Sequence, residues 1–226
     1  MGGARETMIQ EMLDIWTAIF SGDSWEMRQA FRRPGAWPFG LAVTLVGAVA
    51  IHLLYRFVPF VEKYLELSVM IASYLLIAAI IFVTVILRQG FNESFAWATT
   101  VPPFLFLVMT WFGCSYNVSK RSHLAFIELR MNLPRPLQLA TLTLDMLLWV
   151  TMSWVVVVTA SRMVLNSAAN FAILIGTDNV LQWWFLTAVP ISFLFLAARA
   201  VGVWLDDIER YRRGDSLVNP VAIGSD

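Results

Sequence analysis

The sequence predicts an all-α integral membrane protein. Four core transmembrane helices are preceded by an N-terminal apolar helix, a fifth span, and by an amphipathic surface helix. Three observations carry this prediction. The 226-residue chain is 58% hydrophobic and only 14% charged, whereas soluble domains have about 45–50% apolar and about 25% charged residues. Its mean hydropathy is +0.67. Its apolar residues fall in unbroken runs, each near the roughly 20 residues that a helical span requires. This composition excludes intrinsic disorder and argues against a soluble enzyme. The charge balance, 16 Lys+Arg against 16 Asp+Glu, implies no nucleic-acid partner.

The core spans are located by their lack of charge. Leu67–Leu87 lies between Glu66 and Arg88, and Ser94–Ser119 between Glu93 and Lys120. Pro136–Ser161 carries a single charge, Asp145, and Val180–Ala198 closes at Arg199. None alternates with the period of a barrel strand. Backbone groups in lipid must be satisfied within the segment, so each run is read as a helix.

Upstream, Trp37–Tyr55 is apolar on every face and interrupted only by His52. That pattern suits burial in membrane or protein rather than an interfacial position. Arg32 and Arg33 precede it and Ala48-Val49-Ala50 imitates a cleavage site, but the segment before it is too long for a signal peptide. Residues 1–33 differ again. Ile9, Leu13, Trp16 and Phe20 recur at helical spacing with Glu6, Gln10, Asp14 and Thr17 between them. This is an amphipathic helix suited to a membrane surface or a partner. Ser21-Gly22-Asp23-Ser24 breaks it, and Trp25–Arg33 follows up to Pro34-Gly35. The chain thus divides into a surface segment (1–36), an additional membrane-embedded helix (37–58), a four-helix core (62–205) and a basic tail (206–226).

Arginine sets the expected orientation, because cytoplasmic loops carry the Lys/Arg excess. Lys120, Arg121, Arg130 and Arg135 lie between the second and third core spans, and Arg210, Arg212 and Arg213 follow the last. The opposite connections hold Arg88 and Arg162. The core therefore reads with both ends cytoplasmic. If Trp37–Tyr55 crosses, as expected, residues 1–36 and their Arg5, Arg28, Arg32 and Arg33 lie outside, against the rule.

Few residues promise chemistry. There is no glycine-rich phosphate loop, no paired cysteine motif and no histidine cluster, so no cofactor or metal is expected. His52 and His123 lie at different depths and make a poor pair of haem ligands. Cys114 reads as a small packing residue. Asp145 is the one acid within a core window. It is either a structural group that pairs with Thr141 or a neighbouring Arg, or an intramembrane functional carboxylate. A coupling-ion site usually gathers several oxygens or a broken helix. Pro102-Pro103 and Pro190 kink or start helices. Trp183, Trp184 and Trp204 suit membrane-interface anchors, and Ala198-x-x-x-Gly202 permits close helix approach.

The stretch Lys120-Arg121-Ser122-His123-Leu124-Ala125-Phe126-Ile127-Glu128-Leu129, followed by Asn132-Leu133-Pro134, resembles the small permease subunit of tripartite ATP-independent periplasmic (TRAP) transporters, the DctQ-like family. Val85-Ile86-Leu87-Arg88 with Phe91-Asn92-Glu93-Ser94, Trp97, and Ala188-Val189-Pro190-Ile191 agree in order and spacing. The resemblance covers about residues 62–205. Where the family often carries glutamates after the Trp97 position, this chain has Ala98-Thr99-Thr100, and the acid after the family's histidine is represented by a displaced Glu128.

The resemblance implies a non-enzymatic subunit of the bacterial inner membrane with a cytoplasmic C-terminus. In such systems a periplasmic binding protein captures an organic acid and a large permease subunit moves it on a sodium gradient. The small subunit acts as a scaffold, and C4-dicarboxylates are the first substrates to consider. Arg88, Asn92 and Trp97 would then meet the partner at the outer rim, and Lys120, Arg121, His123, Glu128 and Arg130 at the inner rim. Plain topology and lipid-headgroup contact are the competing reading of the same charges. The alternatives are an autonomous small transporter or the membrane anchor of a redox complex.

Overall fold

The computed structural model describes residues 2–120 and 130–217. Helices α1 (Gly2–Ser21) and α2 (Ser24–Arg32) lead into α3 (Ala36–Phe57) and α4 (Pro59–Ile86). They are followed by α5 (Trp97–Ser119), α6 (Arg135–Ala169), the short α7 (Trp183–Leu186) and α8 (Ala188–Arg213). Five segments are long and apolar enough to cross a membrane: Ala36–Phe57, Pro59–Phe91, Trp97–Ser119, Arg135–Ala169 and Trp183–Arg213.

Local chemistry sets the breaks. Gly22 at φ +70° ends α1, and Asp23 caps α2 by accepting from the Trp25 N–H. Pro59 opens α4, and the residue before a proline is pushed out of helical geometry. Val58 accordingly sits at φ −128°, ψ 79°, and the chain turns from α3 to α4 across that one residue. The end of α4 widens into a π-turn, Leu87–Phe91, closed by Asn92 in the left-handed region at φ 55°. Pro190 cannot supply the N–H that would meet the Leu186 carbonyl, and the helix is interrupted there, at Thr187. Gly214, at φ 85°, terminates α8 while the Asp215 N–H reaches the Arg210 carbonyl, a glycine C-cap.

Central α8 packs on α3, α5 and α6, and α4 lies outside against α5. Phe104 meets Phe185 and Trp111 meets Phe193, so α5 runs alongside α8 in the same sense. Gly47 faces Leu194 and Gly202 faces His52, which gives α3 that sense too. Val157 packs in one cluster with Phe193, while the Trp204 indole N–H donates to Thr143 Oγ1 (3.0 Å), so α6 is antiparallel. Small residues allow the close approach of α3. A Cβ on Gly40 would lie 2.2 Å from Val158 Cγ2, and one on Gly202 3.1 Å from His52 Nδ1. The Ala198/Gly202 spacing is therefore used against α3.

This order places α1–α2 at the end of the bundle that holds the 92–96 and 170–182 connections, opposite Lys120 and Arg130. α2 rests on α6, with Arg28 Nη1 donating to Asn170 Oδ1 (3.2 Å) and Arg162 Nε to the Phe31 carbonyl (2.8 Å). Arg33 pairs with Asp14. The arginines that count against the expected orientation are in this way partly engaged within the fold.

The helices exceed the charge-free windows. α4 begins before Glu66, α6 continues to Ala169, and α8 passes through Arg199 to Arg213. A charge paired inside the bundle does not end a helix.

Candidate functional site

The main polar centre is where α3, α4, α5 and α8 converge. Glu66 on α4 is 1% exposed and Arg199 on α8 is 8% exposed. Arg199 Nη2 lies 2.9 Å from Glu66 Oε2, and its Nε lies 3.1 and 3.2 Å from the two carboxylate oxygens. The guanidinium also reaches Glu62, Nη1 donating to Oε1 at 3.2 Å and Nη2 to the backbone carbonyl. Tyr55 of α3 donates its hydroxyl to Glu66 Oε1 (3.0 Å), and Ser115 of α5 donates to the same oxygen (2.7 Å). The Arg199 guanidinium also stands 4.1 Å from the Tyr55 ring centroid, a cation–π contact.

Sequence explains each placement. Glu62 and Glu66 are one helical turn apart and share a face of α4. The Val58–Pro59 turn brings Tyr55 back beside Glu66. The cluster is densely bonded: the Glu66 carboxylate accepts from tyrosine, serine and guanidinium, and each of the three guanidinium nitrogens donates to Glu62 or Glu66. A buried charge is tolerated when it is paired and hydrogen-bonded. Its chemistry is that of an electrostatic staple joining four helices, with no nucleophile or open coordination position. Among the described residues, no group of three or more His, Cys, Asp or Glu is arranged to hold a metal.

Reading the sequence by charge-free windows missed this centre, because Glu66 and Arg199 served as span boundaries. A signal was present. The apolar pattern resumes after Arg199 as Ala200-Val201-Gly202-Val203-Trp204-Leu205, which marks an arginine inside a helix rather than beyond it.

The residues singled out from sequence fall into two separate groups. Arg88 is exposed in the π-turn, Asn92 is its left-handed cap, and Trp97 opens α5 with its ring near Phe95. At the other end Lys120 caps α5 and lies over the Tyr116 ring. Arg121, His123 and Glu128 lie outside the described residues. Arg130 is drawn onto Asp145, its side chain 13% exposed against 40% for the aspartate. Thr141 instead donates to the Gln138 carbonyl, so the arginine is the partner of Asp145. Trp204, expected as an anchor, bonds Thr143 between helices, while Trp184 is 57% exposed. Cys114 packs partly buried against the Phe193–Leu196 cluster.

The fold and this centre define a multi-pass, all-α membrane protein whose intramembrane charges bind its own helices together. Residues 77–210 match the family model described as tripartite ATP-independent periplasmic transporters, DctQ component, and the chain belongs to that family. It is thereby the small subunit of a TRAP transporter, a transport component rather than a member of an enzyme family. The match begins within α4 and ends near the close of α8, so α1–α3 lie ahead of it. No curated protein matches the chain.

Proposed function

We propose that this subunit is a scaffold for a large permease subunit in a sodium-driven, binding-protein-dependent transporter of organic acids, C4-dicarboxylates being the first class to test. It holds the permease in the bacterial inner membrane with its own C-terminus cytoplasmic, and the periplasmic binding protein docks on the assembled complex. One observation carries this reading: the buried Arg199 is held by Glu62, Glu66 and the face of Tyr55, which ties α3, α4 and α8 to one another. A transport path needs polar groups that can exchange partners with a substrate or ion. A frame against which another subunit moves needs groups that do not. The rims at Arg88, Asn92 and Trp97 and at Lys120, Arg121, His123, Glu128 and Arg130 are the proposed contacts with the permease.

The test is purification of the tagged chain from its native membrane in mild detergent, with mass spectrometry of what accompanies it. Near-equimolar recovery of one large hydrophobic permease is expected. Recovery of the chain alone, able by itself to carry organic acids across liposomes on a sodium gradient, would overturn the scaffold reading. Flux by the reconstituted complex, with and without sodium and with dicarboxylates against other organic acids, tests coupling and substrate.

A further inference from the structure

The N-terminal helix ahead of the family match carries its own assignment. Its residues sort into three arcs. Ile15 (0% exposed), Ala18 (7%) and Glu11 face the protein, packed against α2, α3 and Val158 of α6. Roughly half a turn away, at the helical period of about 3.6 residues, Ile9, Leu13, Trp16 and Phe20 form a stripe that is 52%, 59%, 53% and 75% exposed. Met8 and Ile19, also exposed, lie on one flank of that stripe; Glu6, Gln10 and Thr17, exposed as well, lie on the other.

An amphipathic helix between a protein and water needs two arcs. A third, apolar arc that faces outward between them requires an apolar medium. That medium is contiguous with the lipid-facing side of α3. Trp16 contacts Phe39 at a ring separation of 6.3 Å, and the outward residues of α3 beyond it, Leu45, Val46, Val49 and Leu53, are exposed and apolar. The carboxylates of α1 nearest the bundle are taken out of the way. Asp14 pairs with Arg33, and Glu11 Oε2 accepts the Gly35 N–H (2.7 Å) at the start of α3.

We propose that α1 lies in the membrane interface, at the end of the bundle holding the 92–96 and 170–182 connections. Its Ile9–Leu13–Trp16–Phe20 stripe is seated in the lipid and its Glu6–Gln10–Thr17 arc in water. The occupant of the stripe is the bilayer itself, met at the boundary of headgroups and acyl chains, about 5–10 Å deep for helices of this kind. Tryptophan and phenylalanine on the apolar arc suit that depth. The α1 helix thereby widens the footprint of the bundle at one membrane face and, through Glu11–Gly35 and Asp14–Arg33, couples its position to the start of α3. The assignment needs only that the long helices span a membrane, and stands apart from the identity of any permease or substrate.

The test uses the full chain in vesicles of phosphatidylethanolamine and phosphatidylglycerol, in a Cys114→Ala background, with spin labels placed singly by Leu13→Cys, Phe20→Cys, Gln10→Cys and Thr17→Cys. Collision with dissolved oxygen against a water-soluble nickel chelate reads depth. The expected result is a change of sign: labels at 13 and 20 are reached by oxygen and shielded from nickel, and labels at 10 and 17 the reverse. Equal nickel access at 13 and 10 would place the stripe in water and overturn the assignment. Shielding of position 13 from both reagents would mean that protein covers it, and would overturn it too. Phe20, the most exposed of the four stripe positions, decides if the Leu13 variant does not elute as a monodisperse species. The outcome is independent of whether a permease co-purifies.

Discussion

Arg199 and Glu66, 133 residues apart in sequence, close an ion pair at 2.9 Å inside the bundle. The pair joins a helix at the margin of the fold, α4, to the central helix α8. Removing one member leaves the other charged and buried, which costs about 3–5 kcal/mol, whereas replacing both by apolar residues of similar volume is often close to neutral. Arg199→Met is therefore expected to destabilise the protein strongly in a detergent unfolding titration, and Arg199→Met with Glu66→Met to recover most of the loss. A single variant as stable as the parent would show that the cluster does not hold the helices.

Tyr55→Phe removes one donor to Glu66 while the ring stays beneath Arg199. A cost of about 1–2 kcal/mol is expected, smaller than that of Arg199→Met, since the carboxylate keeps its serine and guanidinium partners. Ser115→Ala belongs in the same range. Equal losses for Tyr55→Phe and Arg199→Met would contradict the ordering.

Two glycines share a left-handed backbone but not their surroundings. Gly176 has φ +81°, and a Cβ there would lie 2.6–2.7 Å from the backbone and side chain at Ala96 and Trp97; Gly22 has φ +70° and nothing within 4 Å. Alanine at Gly22 should cost about 1–2 kcal/mol for its conformation alone. At Gly176 it should cost more, because backbone must move. Thermal unfolding of the two variants gives the comparison, and a reversed order would refute it.

Gly40 admits Val158 of α6 so closely that a methyl group would meet Val158 Cγ2 at 2.2 Å. Gly40→Ala is expected to lower stability by about 1–3 kcal/mol through overpacking, and Val158→Ala in the same chain to relieve part of it. Additive losses in this double-mutant cycle would show that α3 does not depend on that contact.

Asp145 is partly exposed and paired with Arg130. On the scaffold reading, Asp145→Asn leaves sodium-driven flux of the assembled transporter within about twofold. Abolished flux with intact assembly would make Asp145 part of the transport path instead.

Much of the architecture was legible because it depends on local or one-dimensional properties. Apolar run length marked the five long helices, Gly22 and Pro34-Gly35 marked breaks, and the Ile9–Phe20 spacing marked α1. The family resemblance, read over about residues 62–205, is met by the family match over residues 77–210. The polar centre was not legible in this way. Run length treats a charge as a boundary, and Glu66 and Arg199 become internal only when each supplies the other's counter-charge across the bundle. For Asp145 the sequence left open Thr141 or a neighbouring Arg, and only the folded chain, which brings Arg130 against it, decided for the arginine.

That this chain is an all-helical membrane protein with an amphipathic N-terminus and the motifs of its family can be read along the sequence, since burial in lipid requires length, hydropathy and internally bonded backbone. Tertiary structure alone decided which charges are partners, which glycines bear close contacts and which arc of α1 faces outward. Those depend on distances between residues remote in the chain, and pairing energy in a low-dielectric interior exists only once the helices have met.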